Sequence, residues 1–314
     1  MKTINGLGCG DIFGIIRTLT EILKTKEKNE VKILVDPAHN VGIGDCFSNL
    51  NVVLFLACGC VGIPVSNITL LLGGYRSDEN HFVSDQLKIV YGEGELDRLL
   101  DQGFDLHLVG NCYEWLAVDH DFHFSKFITY SDNIIQQASN YSTFISVYLR
   151  FYQFETKGGN IEELMERYMK AFLNQWDASE QYIICSPHPI IKKQNWPSNV
   201  ELSINLGGYS GSFPLYGWNQ RRCKINTESA IRDMAILSYS KDNIAFHGDA
   251  ANFYKAAMML AKNRTTFNPY STEEILQKIK ENRREFAALF GHLFTNSVSR
   301  CLHELPSIAS CNPA

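Results

Sequence analysis

"MKTINGLGCGDIFGIIRTLTEILKTKEKNEVKILVDP" spans residues 1–37. Residues 1–4 have the length of a short strand, and Gly6, Gly8 and Gly10 follow before Asp11. Residues 11–25 then carry Ile12, Ile15, Ile16, Leu19, Ile22 and Leu23, the spacing of one apolar helix face. "VKILVDP" is a β-branched strand that Pro37 ends. The unit is strand, glycine turn, helix, strand, which predicts the right-handed crossover of a parallel sheet. Glycines at such a turn let backbone approach a ligand's phosphate or sugar at the helix N-terminus. A plain tight turn uses the same residues.

The pattern repeats along the chain. A second glycine turn, "NVGIGDCF" (residues 40–47), leads into a buried helix over 46–60. Strands are predicted in "NITLLLGG", "LKIVYG", "FDLHLVG" and "KFITYS", with a helix in "GELDRLLDQ". Residues 133–175 read as helical and aromatic, broken by "TKGGN", with Asn160 as N-cap of "IEELMERYMKAFLNQW". Beyond them, strands are expected in "QYIICSPHP", "VELSINLGGYSG", "MAILSYS" and "NIAFHG", then a helix over 250–262 and charged helices over 272–304. Short apolar strands alternating with helices predict an α/β fold of two Rossmann-like domains facing each other across a cleft. The boundaries expected are an N-terminal, acceptor-side domain over 1–140, a helical bridge over 141–178, a donor-binding domain over 179–290, and a C-terminal helix and tail over 291–314.

Bulk composition narrows the function. At 314 residues, a net charge of −5 offers no broad basic surface, so nucleic acid is not an expected partner. Nine cysteines without a Cys-x-x-Cys pair give no zinc spacing, and no metal is expected. The odd count and the absence of a secretory leader predict reduced thiols and a cytoplasmic location. "NVVLFLACGCVGIPV" falls short of the roughly 20 apolar residues that span a bilayer, so no transmembrane segment is expected. "VDHDFHF" gathers Asp119, His120, Asp121 and His123 without a common ligand spacing, which fits a polar loop. The Asn67, Asn140 and Asn263 sequons are read as chance matches.

Loops at the carboxyl ends of the strands carry the chemistry of such sheets. In "NIAFHGDAANFYKAAMML" a strand ends, Gly248 turns, and Asp249, Ala250, Ala251 and Asn252 open a helix. Small residues there leave the first N–H groups open to a phosphate, which the helix dipole favours. Asp249 reads as a cap, and an ordinary capped helix fits the same residues. Gly207 and Gly208 of "GGYSGSFPLYGW" lie beside Tyr209, Tyr216 and Trp218, which suit either stacking on a base or sugar or packing at a seam.

Taken together the two halves resemble a GT-B glycosyltransferase, and within that fold the heptosyltransferase group. "GLGCGDIFGIIRTLTEILKTKEKNEVKILVD" is similar to that group's opening strand, Gly-Leu-Gly-Asp loop and helix, with Cys9 and Gly10 inserted before Asp11. Residues 242–271, with His247, Gly248 and Asp249 at the turn and Phe267-Asn268-Pro269 after the strand, are similar to its donor-side turn, although its Thr/Ser-Gly-Pro is absent. "KKQNWP", from Lys192 and Lys193 to Pro197, resembles its donor-phosphate stretch Lys-Arg-Trp-Pro, without the helix that follows there.

The resemblance implies metal-independent, inverting transfer from a nucleotide sugar, a co-substrate rather than a bound cofactor, to an unknown acceptor that is a glycan, a lipid-linked compound or a protein. It implies Asp11 as the base that deprotonates the acceptor, a role for which Asp45 of "GIGDCF" competes; either acid also suits an N-cap. Phosphate would be held by the helix N-terminus at 250–252 with Lys192 or Lys193. The alternatives are a non-catalytic protein that binds a nucleotide or partner, or a sugar-nucleotide epimerase or hydrolase of the same fold.

Overall fold

The computed structural model describes residues 1–5, 12–37, 43–72, 80–92, 94–110, 123–151, 160–186, 188–203, 224–246 and 252–261. Its first half holds strands β1 (Lys2–Asn5), β2 (Ile33–Asp36), β3 (Ile68–Leu72), β4 (Phe82–Val83), β5 (Lys88–Tyr91), β6 (Leu106–Val109) and β7 (Thr129–Tyr130). Helices α1 (Ile12–Ile22), α2 (Ile43–Val53), α3 (Glu95–Leu100) and α4 (Asp132–Ser139) lie between or after them. Five of the strands form a parallel sheet in the order β1-β6-β2-β3-β5, while β4 and β7 pair antiparallel beside it.

Strand alternation sorts the side chains of this sheet into two layers. Ile33, Val35, Ile68, Leu70, Leu72, Leu106 and Leu108 share one core with Ile15 and Leu19 of α1 and Phe47 and Leu50 of α2. Leu34, Leu71 and Val90 join Leu99 of α3 and Phe104 in another. The split follows from crossover handedness: β1 to β2 and β2 to β3 step one way, β5 to β6 steps back, so α3 falls on the opposite face. Helix α2 continues as a π-helical stretch over Leu54–Val61, and Gly62, with φ +84°, closes it by donating to the Ala57 and Cys58 carbonyls. That left-handed conformation favours glycine.

The second half holds β8 (Ile145–Leu149), β9 (Tyr182–Cys185), β10 (Val200–Leu202) and β11 (Asp242–Phe246), with α5 (Ile161–Leu173), α6 (Lys224–Tyr239) and α7 (Asn252–Leu260). These strands form a second parallel sheet in the order β10-β9-β8-β11. Its first strand is therefore internal, and the chain reverses direction across the sheet between β8 and β11. Val147, Leu149, Tyr182 and Ile184 pack with Met165 and Phe172 of α5. Tyr148, Ile183 and Cys185 pack on the other face with Ile231, Met234 and Ala235 of α6. Asn160 caps α5 as expected, its side chain accepting from the Glu162 and Glu163 amides at 3.1 and 3.3 Å.

Two sequence expectations are corrected. Residues 133–175 are not helical throughout: "ISVYL" is β8, paired on both sides and buried on both faces, so it lacks the alternation that marks a half-exposed strand. "MAILSYS" is not a strand but the end of α6, a 16-residue helix whose residues from Asp233 to Ser238 are all buried. A short apolar run does not distinguish the two by periodicity. The first sheet also has an order of its own, with β1 at the edge beyond β6, whereas in the doubly wound order the first strand is central.

One apolar core joins the halves. Helix α2 packs on α7, α7 on α6, and α6 on α4. Tyr130 and Ser238 share a buried hydrogen bond of 2.9 Å across the same seam. Phe47 of α2 anchors the first half, edge-on to Phe82 at 4.9 Å and stacked on Phe124 at 5.1 Å. No helix among the described residues is long and apolar enough to cross a membrane.

Candidate functional site

Doubly wound sheets bind ligands outside the carboxyl ends of the strands, where neighbouring connections leave in opposite directions. In the second sheet that point lies between β8 and β11. The Arg150 amide donates to the Phe246 carbonyl at 3.3 Å, carrying the pairing one residue past β8. Tyr168 of α5 donates its hydroxyl to the Arg150 carbonyl at 2.9 Å. Burial raises the Tyr148 and Tyr168 hydroxyls above their ordinary range, and the Arg150 guanidinium charge partly opposes this in both, so a cation stands at this rim.

Helix α7 begins at Asn252, four positions after Gly248 in the sequence. Its first turn is pinned to β8 by ring stacking: Phe253 and Tyr254 lie 5.8 and 5.7 Å from Tyr148. The α7 N-terminus and Arg150 thus belong to the same rim, a helix N-terminus on one side and a guanidinium on the other. Both favour an anion.

Lys192 and Lys193 end a short helical turn, Pro189–Lys193, that leaves β9. Both are exposed. They come off the strand flanking β8 on one side, while Asn252 follows the strand flanking it on the other. His188 starts that turn, its Nδ1 accepting from the Ile190 amide at 3.1 Å and its ring 4.9 Å from Phe151. Burial drives its pKa down to about 4, and the Lys193 charge adds to this, so the imidazole is neutral at pH 7. It serves as a structural cap.

Asp45 is the third residue of α2, partly buried, where a carboxylate complements the helix dipole rather than occupying the N-cap itself. Asp11, Gly6, Gly8, Gly10, Gly207, Gly208, His247, Gly248, Asp249, Ala250 and Ala251 lie outside the described residues, as do Asp119, His120 and Asp121. His123 is described. Its Nδ1 lies 2.7 Å from Ser125 Oγ and accepts from the Ser125 amide, again a cap.

Three groups went unnoticed in the sequence reading. Arg150 was hidden inside a segment read as helix. Asp36 and His107 form a buried pair at the end of β2 and within β6, Oδ2 to Nε2 3.0 Å. They point with Leu34 toward the α3 layer, away from α2, and tie the two strands together. The third is a polar cluster on the α6 face of the second sheet: Cys185 at the end of β9, Ser203 directly after β10, and Asp233 within α6. Asp233 is 3% exposed, and burial raises its carboxyl to about 7 against a smaller opposing pull from Ser203 and Arg232. Cys185 is fully enclosed, and its thiol is held well above its ordinary range by burial and by Asp233. Ser203 Oγ is near enough to favour both ionised forms, yet it is enclosed and makes no hydrogen bond of good geometry. A signal was available: "IRDMAIL" places an acid inside an otherwise apolar helix face.

No protein-family model matches the chain, and no curated protein matches it.

Proposed function

We propose that the chain is a glycosyltransferase that takes a sugar from a nucleotide-sugar donor, with the donor's phosphates held at the β8–β11 rim. The observation that carries this is the second sheet's order, β10-β9-β8-β11, with a cationic residue and a helix N-terminus at its reversal point. A nucleoside diphosphate leaving group needs just such fixed positive and dipolar charge as its bond to the sugar breaks. Arg150, the α7 N-terminus and Lys192 or Lys193 supply it with no metal required by the reading. The proton released by the acceptor hydroxyl goes to a carboxylate of the first half, Asp11 with Asp45 as the competitor. The two Rossmann-like halves, facing across a GT-B cleft, belong to this proposal too. The packing of α2 on α7 supports it, because each helix follows in sequence the carboxyl end of a strand of its own sheet.

One observation favours a second reading. The edge position of β1 takes the first glycine turn away from the centre of its sheet, which suits a protein that binds a nucleotide in its second half without transferring a sugar. Thermal unfolding separates the readings from a protein that binds neither. With nucleotide sugars at about 100 times Kd, binding adds about 2.7 kcal/mol to the folded state and raises Tm. Both readings expect at least one nucleotide or nucleotide sugar to do so, and only the transferase reading expects release or transfer of the sugar. A panel with no shift for any nucleotide removes both.

A further inference from the structure

We infer that the two halves of the chain form one cooperative body with no hinge between them, locked by a pair of helices that belongs to both cores. Domains of one chain move against each other unless the surface between them is large and apolar. Here it is apolar and closed. Residues 233–238 of α6 and 256–260 of α7 are buried without a break, which a helix with one solvent face does not achieve. Helix α6 packs on β8 of its own sheet and on α4 of the first half, and α7 packs on α2 of the first half. Leu50 of α2, Ala138 of α4, Met234 of α6 and Met259 of α7 accordingly belong to a single apolar cluster.

The seam also pairs its polar groups internally. Burial pushes the Tyr130 hydroxyl far above its ordinary range, so it keeps its proton and donates to Ser238 Oγ at 2.9 Å. The Ser238 hydroxyl lies in turn 2.8 Å from the Met234 carbonyl and 2.7 Å from the Ala257 carbonyl, to which it donates. Strand β7, α6 and α7 thus meet at one enclosed hydroxyl. Parting the seam would break these bonds where unmade ones are costly.

The connection between the halves is tied down as well. The chain passes from α4 to β8 through residues 140–144. Tyr141 and Phe144 pack against the shared cluster with their rings 5.2 Å apart. The Lys241 amide, two residues past α6, donates to the Phe144 carbonyl at 2.8 Å. A hinge needs a connection whose backbone turns without losing contacts, and this one is pinned at both ends. The inference does not depend on the nucleotide reading. Its consequence is that any ligand meets the two sheets at a separation set by folding, not by rotation of one half on the other.

Native-state alkylation of cysteines across rising urea, read peptide by peptide by mass spectrometry, tests this. Cys58 of the first half and Cys185 of the second are 1% and 0% exposed, and Ser238→Cys adds a thiol in the seam itself. Just below the unfolding transition, Cys58 and Cys185 of the wild type are expected to share one urea slope and one opening constant, to within about twofold. The introduced thiol should share both. If it reacts about tenfold or more faster while Cys58 and Cys185 stay protected, the halves part without unfolding and the inference is overturned. Separate opening constants or slopes for Cys58 and Cys185 in the wild type overturn it too, whether or not the variant folds. Tyr130→Phe removes the seam bond and keeps the ring, and should raise both opening constants together, by about fivefold. A rise in one half alone, or in neither, contradicts the shared core.

Discussion

Asp233→Asn is expected to make the folded chain about 2–4 kcal/mol more stable at pH 8 and to flatten its dependence on pH. The Asp233 carboxyl keeps its proton in the folded chain up to about pH 7, against an ordinary value of 3.8. Between those values the folded state binds more protons than the unfolded chain, so stability falls as pH rises. The contribution is complete below 3.8 and gone above 7. Three pKa units correspond to about 4 kcal/mol, the upper end of the expected gain. The amide removes the need to ionise in a buried place where no cation pairs with Asp233 among the described residues, and its N–H can donate to the enclosed Ser203 hydroxyl. Urea unfolding at pH 5.5 and pH 8 reads both quantities. A variant less stable than wild type at pH 8, or one with the same slope between the two pH values, contradicts the assignment.

Asp11→Asn is expected to lower turnover about 10²–10⁴-fold while donor affinity stays nearly unchanged. The acid directly precedes α1 in sequence, and the proposed function gives it the acceptor's proton. An amide cannot take the acceptor's proton, whereas it can cap a helix as well as the acid does. A capping role therefore leaves turnover intact and changes stability by well under about 1 kcal/mol. Steady-state transfer rates, read beside donor binding, distinguish the roles. Full activity in the variant passes the base role to Asp45, whose place in the first turn of α2 is known.

The parts of the fold legible in the sequence are those with one exposed face or a distinct terminus. The α1 stripe, the Pro37 stop and the Asn160 cap each leave a local mark, and each element lies where that mark puts it. β8 and α6 leave none. Val147 to Leu149 of β8 and Met234 to Leu237 of α6 are all buried, so "ISVYL" and "MAIL" show neither a period of two nor one of 3.6. Missing β8 had a chemical consequence, because Arg150 gains meaning only as the residue that follows the strand beside the reversal point. Asp233 and Ser203 are 30 residues apart in sequence and meet only because α6 folds back over β10. His107 and Asp36 likewise meet through strand order, 71 residues apart, which no local pattern encodes.

Central to all of this is an anion held between Arg150 and the N-terminus of α7, and pyrophosphate titrated into the wild type and Arg150→Ala measures it most directly. The account predicts saturable binding by the wild type and a loss of about tenfold or more in the variant. Wild-type chain that does not bind pyrophosphate, or a variant that binds it equally well, would contradict the account.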